Sequence, residues 1–337
     1  MKRILTVLMA SMMVLILMFS LTACGDQGGG SSQGDSGDKS VLIYSTSEEY
    51  RIEFMQEMLN KQFPDYDITI EYLSTGNLAA KLKAEGTDTA CDFIGELDTG
   101  YLSGIPDVLA DLSSYDSSIY VEELLPADHS YLPMCRFSGC ITVNTQVLQE
   151  KGLSAPQSFQ DLLKPEYQGL ISMPNPKTSG TGYMFLKLLV NEWGEDEAFA
   201  YFDQLTPNIL QYTESGSGPV NALVQGEVAI GFAMTAQTVL EVGNGTPLEI
   251  VNLTEGQPYG VCGMAIIEGK QNDAVVKEVF DYYVNTVVPA DKAEYLPEKI
   301  YKDRDYTMEG FPTDIRYGDM SDNTITEKER LLAKWMY

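Results

Sequence analysis

The chain of 337 residues has one histidine, five cysteines, two tryptophans and only 22 Lys and Arg against 49 Asp and Glu. The single histidine lies in Pro126-Ala127-Asp128-His129-Ser130, with no G-x-S-x-G elbow, so a Ser-His-Asp hydrolase would have to be built on one loop residue. With one histidine and no C-x-x-C pair, a zinc site lacks its usual ligands. The shortage of cations, giving a formal charge of −27, argues against nucleic acid or an anionic lipid surface as partner, since phosphate repulsion would go unopposed. There is no G-x-x-x-x-G-K-[ST] and no G-x-G-x-x-G after a strand, so nucleotide cofactor sites are not expected. No cofactor or metal is expected. Acids are too abundant for their number to signal a two-carboxylate glycosidase, and a secreted hydrolase stands as the alternative from another class.

What is present begins with an address. Lys2 and Arg3 precede the apolar run Ile4 to Leu21, and Leu21-Thr22-Ala23-Cys24 closes it. This ending resembles the lipobox of bacterial lipoproteins, which implies a signal peptide over 1–23, cleavage before Cys24 and a lipid on its thiol. A plain transmembrane anchor is the runner-up, because the run has about the minimum spanning length. Residues 24–40 then hold Gly, Ser and Asp with no apolar side chain after the cysteine, the composition of a flexible tether. The expected location is the outer face of the bacterial cytoplasmic membrane, held by the lipid. Loss of Lys2 and Arg3 with the leader makes the mature chain more acidic still, and solubility at a cell surface accounts for most of that charge. Four cysteines remain, Cys91, Cys135, Cys140 and Cys262; Cys135 and Cys140 are close enough in sequence to pair, and the pairing is left open.

About 310 residues follow cleavage, more than one core comfortably serves, which points to two lobes. Val41 to Tyr44, Ile68 to Tyr72 and Cys91 to Ile94 read as short strands, separated by helical stripes over Phe54 to Phe63 and Leu78 to Glu85. That β-α-β-α-β order calls for a mostly parallel sheet with helices on both faces, an α/β fold whose ligands sit beyond the carboxyl ends of the strands. Those ends carry Ser45, Thr46 and Ser47, then Ser74, Thr75 and Gly76, then Glu96 and Asp98. Gly139 to Asn144 reads as a strand leading into a second lobe and Tyr259 to Ile267 as the strand leading back. The expected division is 41–139 plus 263–337 for lobe one and 140–262 for lobe two, with Trp335 packed on lobe one.

The second lobe holds two glycine-rich turns that open helices. Asn175 to Tyr183 carries Ser179, Gly180 and Thr181 before the apolar periodic run Met184 to Trp193; Ser215, Gly216 and Ser217 precede Pro219, Val220 and Leu223. Unpaired amides at a helix start, with the positive end of its dipole and neighbouring hydroxyls, suit an anion. Ordinary N-capping explains either turn alone, whereas two in one lobe suggest the floor of one cleft.

Together, Ile43-Tyr44-Ser45-Thr46-Ser47-Glu48, the run Ala79 to Gly86 with Asp92 behind it, Ser179-Gly180-Thr181-Gly182-Tyr183 and Gly226 to Gly231 resemble the extracellular solute-binding proteins of ATP-driven importers, in the branch of ferric-iron, phosphosugar and aminoethylphosphonate binders. The resemblance implies a two-lobe Venus-flytrap of the type 2 periplasmic-binding-protein class, acting as a monomer. It would pass a small solute to the permease and ATPase subunits of an ABC importer. Iron binders of this branch carry a Tyr-Tyr pair about ten residues after the Gly-Glu of the second lobe. Here those places are Ala236 and Gln237, which removes the phenolates that ferric iron would want. Tyr282-Tyr283 lies beside Phe280 on an expected helix and reads as packing. The solute expected is therefore a phosphate- or phosphonate-bearing organic anion, with Glu96, Asp98 and Tyr259 as partners for its hydroxyls or amine; ferric iron is the alternative.

Overall fold

The structure, a computed structural model, describes residues 39–252 and 254–337. The expected leader, Cys24 and all but the last two residues of the tether lie outside the described residues. Among the described residues, no helix is long and apolar enough to cross a membrane.

The first half runs β1 (Ser40–Ser45), α1 (Glu49–Gln62), β2 (Asp67–Tyr72), α2 (Thr75–Glu85), β3 (Phe93–Asp98) and α3 (Thr99–Leu102). β1 pairs in parallel with β2 on one side and β3 on the other. β3 is buried along its whole length, as a strand covered on both faces must be, while edge strand β2 alternates. A loop with short 3-10 turns then leads to β4 (Leu132–Asn144), thirteen residues long and almost wholly buried.

The second half continues with α4 (Thr145–Lys151), β5 (Ile171–Pro174), α5 (Gly180–Trp193), α6 (Glu195–Leu205), β6 (Ile209–Thr213), α7 (Gly218–Val224), β7 (Ile230–Met234), α8 (Thr235–Gly243) and β8 (Leu248–Val251). The chain returns through β9 (Tyr259–Ile266) and finishes with α9 (Ala274–Tyr282), a π turn over Tyr283–Val287, α10 (Val288–Glu294) and α11 (Ile325–Lys334). The expected helix from Ala274 to Val287 is thus widened by the π turn in its last stretch.

Two strands join the halves. Over Leu132 to Ser138, β4 lies antiparallel to β9, which is itself antiparallel to β3. From Gly139 onward β4 leaves β9 and runs antiparallel to both β7 and β8. β5 then joins β7 and β6 in parallel. The sheet order is β2-β1-β3-β9-β4-β7-β5-β6, with β8 against β4. The sheet is therefore mixed: parallel pairs lie at its two outer ends, and antiparallel pairs surround the two shared strands. A strand that must carry the chain out and another that must bring it back run in opposite directions, which is why the middle of the sheet is antiparallel. The point of departure is closely packed: a Cβ on Gly139 would lie 2.7 Å from the Met184 methyl and 2.9 Å from the Phe185 ring, so a larger residue there would have to displace both side chains.

Ten consecutive residues of α5, Thr181 to Val190, are buried, the mark of a helix enclosed on all sides. The C-terminal segment supplies part of the enclosure. Asn191 donates to the carbonyls of Asp319 and Ser321, and Trp335 is buried edge-on against Phe202 and Tyr212 at 5.1 and 5.7 Å. Trp335 thus packs on the second half instead of the first. The expectation missed this because distance along the chain carries no information about which surface a terminal helix covers. Replacing Trp335 with Ala should cost about 3–5 kcal/mol of unfolding free energy, measured as a lower urea midpoint with unchanged slope.

Candidate functional site

The carboxyl ends of β1 and β3 deliver the first wall of a cleft. Thr46 is fixed there by its amide and hydroxyl, both of which donate to the Glu96 carbonyl at 3.1 and 3.2 Å. Ser45 and Ser47 are fully buried behind that wall. The Ser45 hydroxyl donates to that of Ser47, which donates to Glu96 Oε2 at 3.0 Å. These two serines orient a carboxylate and do not line the cavity.

The residue that organises this wall is Arg51. Its guanidinium donates to Glu48 at 3.0 Å, to Glu96 at 2.8 Å and twice to Asp291 of α10 at 2.9 and 2.7 Å, and it is only 1% exposed. Burial works against its charge, but Asp291, Glu96 and Glu48 outweigh burial and hold it protonated. Burial also pushes the Glu48 carboxyl above its ordinary value, with Arg51 opposing and Glu96 adding to the rise. Sequence reasoning missed Arg51, although a signal was present: the buried face of α1 is Arg51, Met55 and Leu59, so the apolar stripe extended back one turn lands on a cation.

The cavity itself, about 40 Å³, lies between this wall and the helix mouths of the second half. Thr46, Glu48, Arg51, Glu96 and Asp98 line one side, with Ser74 and Thr75 at the start of α2; Ser179, Gly180, Thr181, Ser215 and Gly216 line the other. Tyr72, Phe137, Thr178, Met234 and Cys262, none of them expected as ligand contacts, complete it. A wider outer chamber of about 520 Å³ continues from it past Glu49, Glu53, Ser217 and Asn221. Besides Ser45 and Ser47, three expected residues lie elsewhere than in the inner cavity. Gly76 does not line either chamber. Tyr259 is withdrawn from the cavity because the Arg136 guanidinium stacks 4.3 Å from its ring and 4.3 Å from that of Tyr317. Ser217 lies in the outer chamber, away from Ser179.

The helix mouths are also partly self-satisfied. The Ser179 hydroxyl accepts from the Gly182 amide at 3.4 Å, an N-cap. The Gly180 amide donates across the cleft to Thr75 Oγ1 at 3.4 Å. Nearby, the Gly76 amide donates to the Thr178 carbonyl at 3.0 Å, while Ser74 and Asn77 donate to Glu214. The halves touch along this rim. A Cβ on Gly76 would lie 2.1 Å from the Lys177 carbonyl oxygen, so the contact needs glycine.

Charge is divided unevenly. Glu48, Glu96, Asp98 and Asp291 stand against Arg51 and Lys328, the latter fully buried and paired with Asp98. The first wall is therefore net acidic even with its cations counted, and the opposite wall offers hydroxyls and amides. Elsewhere, Ala236 and Gln237 are buried on α8, and Tyr282 and Tyr283 pack against Phe63 and Phe93. His129 sits in an exposed loop with φ 57° and does not line the cavity.

Two crossing strands between halves and a cleft at the carboxyl strand ends define a type 2 periplasmic-binding-protein fold. The profile of the bacterial extracellular solute-binding protein family matches residues 92–296, and the chain belongs to that family. A protein of Haemophilus influenzae described as uncharacterized is 38% identical over 131 residues, 39% of this chain and 38% of that protein; the chain thus matches well under half of that relative's length. The spermidine/putrescine-binding periplasmic protein of Escherichia coli is 23% identical over 308 residues, 87% of this chain and 83% of that one. Among solved structures, the periplasmic binding protein AfuA from Actinobacillus pleuropneumoniae, with exogenous fructose-6-phosphate bound, superimposes with a TM-score of 0.78 at 24% identity, over 88% of this chain and 98% of that one.

Replacing Arg51 with Met should leave Glu48 and the buried Glu96 and Asp291 without their cation, at a cost of about 3–5 kcal/mol near neutral pH. A carboxyl whose pKa is raised by folding binds more protons folded than unfolded, so its contribution to stability grows as pH falls through that window. The variant should therefore recover stability relative to the parent when denaturant melts are moved from pH 8 to pH 5; a pH-independent deficit would mean that the carboxyls are not the cause.

Proposed function

We propose that this protein captures a small polar solute outside the cytoplasm and passes it to the permease and ATPase subunits of an ABC importer. The solute, in this reading, carries a phosphate or phosphonate group at one end and hydroxyl or ammonium groups at the other. The supporting observation is the pair of unlike walls: hydroxyls and helix-start amides at Ser179, Gly180, Thr181, Ser215 and Gly216 facing carboxylates at Glu48, Glu96 and Asp98. Donors at helix starts suit phosphoryl oxygens, and carboxylates accept from sugar hydroxyls or pair with an amine. A purely anionic ligand would meet the acidic wall with nothing to offer it, so a zwitterion such as aminoethylphosphonate or a polyhydroxylated sugar phosphate fits better. Thr46, Ser74 and Thr75 serve as further hydroxyl contacts.

A second reading rests on the same acidic wall together with Glu49 and Glu53 of the outer chamber: a diamine or polyamine, the solute class named for the Escherichia coli relative. Calorimetry separates the two. With 2-aminoethylphosphonate, glucose 6-phosphate, putrescine, spermidine and ferric citrate as the panel, the phosphorylated or phosphonate compounds should bind and the others should not. Thr181→Val with Ser215→Ala should weaken that binding about 10- to 100-fold, each removing a hydrogen bond to a charged group. Binding of spermidine alone, unaffected by that double variant, would decide for the polyamine.

In the same proposal, residues 41–139 with 263–337 and residues 140–262 move as lobes about the β4 and β9 crossings, with the C-terminal segment touching both. A chamber of about 40 Å³ holds little more than water, so solute admission requires the rim contacts to part. Cys24 carries the lipid that keeps the monomeric receptor at the membrane. Gly76→Ala places its new methyl against Lys177 and should block closure. The expected result is weaker ligand binding and a radius of gyration, by solution scattering, that no longer falls when ligand is added.

A further inference from the structure

We propose that Cys135 and Cys262 form a disulfide across β4 and β9, beneath the candidate cavity, when the exported protein meets an oxidant. The two residues are direct partners in the antiparallel pairing of those strands. Cα atoms of such partners lie about 4.5 to 5.5 Å apart, inside the range of about 4.4 to 6.8 Å that a disulfide spans. Their sulfurs lie within 4.8 Å of each other and of a Glu96 carboxylate oxygen. Both thiols are buried and free, and Cys262 lines the cavity.

Among the four cysteines of the described residues no other pairing is available. Cys135 and Cys140 share β4, where five residues of strand place them about 17 Å apart and on opposite faces. Cys140 packs instead between Thr142 and Thr238, and Cys91 lies in a separate first-half cluster with its thiol donating to the Phe93 carbonyl. A thiophilic metal held by Cys135, Cys262 and Glu96 is disfavoured, because the Arg51 guanidinium already bonds Glu96 Oε2 at 2.8 Å and opposes a second cation. Membership of an extracellular family supplies an oxidising compartment.

The chemistry is thiol–disulfide exchange. One thiolate attacks a disulfide oxidant, forming a mixed disulfide and releasing one thiol; the second cysteine displaces the other, so the pair loses two protons and two electrons and the oxidant is reduced to two thiols. Because β4 and β9 carry the chain out and back, the bond closes a loop containing the whole second half. It also removes the Cys135 thiol that approaches Glu96 Oε2 at 3.7 Å, coupling the redox state of the strands to the acidic wall of the cavity. The inference does not depend on which solute is bound.

The test uses exported protein purified without reductant, incubated with oxidised glutathione, acid-quenched, alkylated in denaturant and mapped by mass spectrometry. A linked pair of peptides containing Cys135 and Cys262 is expected, with Cys91 and Cys140 alkylated. Dithiothreitol should lower the melting temperature by several degrees and leave a Cys135→Ser variant unmoved. Alkylation of both Cys135 and Cys262 after oxidation, a bond to either remaining cysteine, or zinc bound in equal amount to the protein would each overturn the proposal.

Discussion

One guanidinium under three carboxylates holds the cleft floor in place. Arg51 reaches Glu48 beside the β1 turn, Glu96 on β3 and Asp291 on α10, so three elements distant in sequence are positioned by one side chain. Buried ion pairs are poor sources of net stability, since desolvation consumes most of the Coulomb gain. Their effect here is geometric: Glu96 cannot turn away without leaving a charge unpaired. Ser45 and Ser47 reinforce that constraint from behind, which is why hydroxyls at a strand end can matter to a site they do not touch.

The opposite wall is built on a different principle. α5 is enclosed by its own lobe and by the C-terminal segment, and its first turn lines the cavity. Some of the amides of that turn are already bonded, to Ser179 and, across the rim, to Thr75. In the proposed function, contact between the halves and contact with a solute would draw on the same groups, a simple physical basis for coupling closure to binding.

The shared strands β4 and β9 connect these walls. The strand Gly139 to Asn144 was legible from its β-branched run Ile141-Thr142-Val143, but the preceding residues Leu132 to Ser138, which contain Pro133 and Arg136, were not, because what makes them strand is pairing with β9 and not local preference. The short β6 and β8 went unread for the same reason, and the helix α8 was missed as well. Cavity-lining residues cluster at the expected strand ends and helix mouths, while Tyr259 stands outside the cavity with Arg136 over its ring, a contact between residues 123 positions apart by number.

The amino-acid sequence by itself determined the α/β class, the β-α-β-α-β order of the first half, and the polar turns that became the two walls, because periodicity, glycine and hydroxyl residues act within a few positions of one another. It also determined the absence of a Tyr-Tyr pair where iron binders of the resembling branch carry one, at Ala236 and Gln237. Only the tertiary structure decided that the first wall is net acidic, that Arg51 anchors it, that Trp335 packs on the second half and that Cys135 faces Cys262. Each of those depends on atoms brought within a few ångströms from opposite ends of the chain, and neither burial nor charge pairing at that range is written in local pattern.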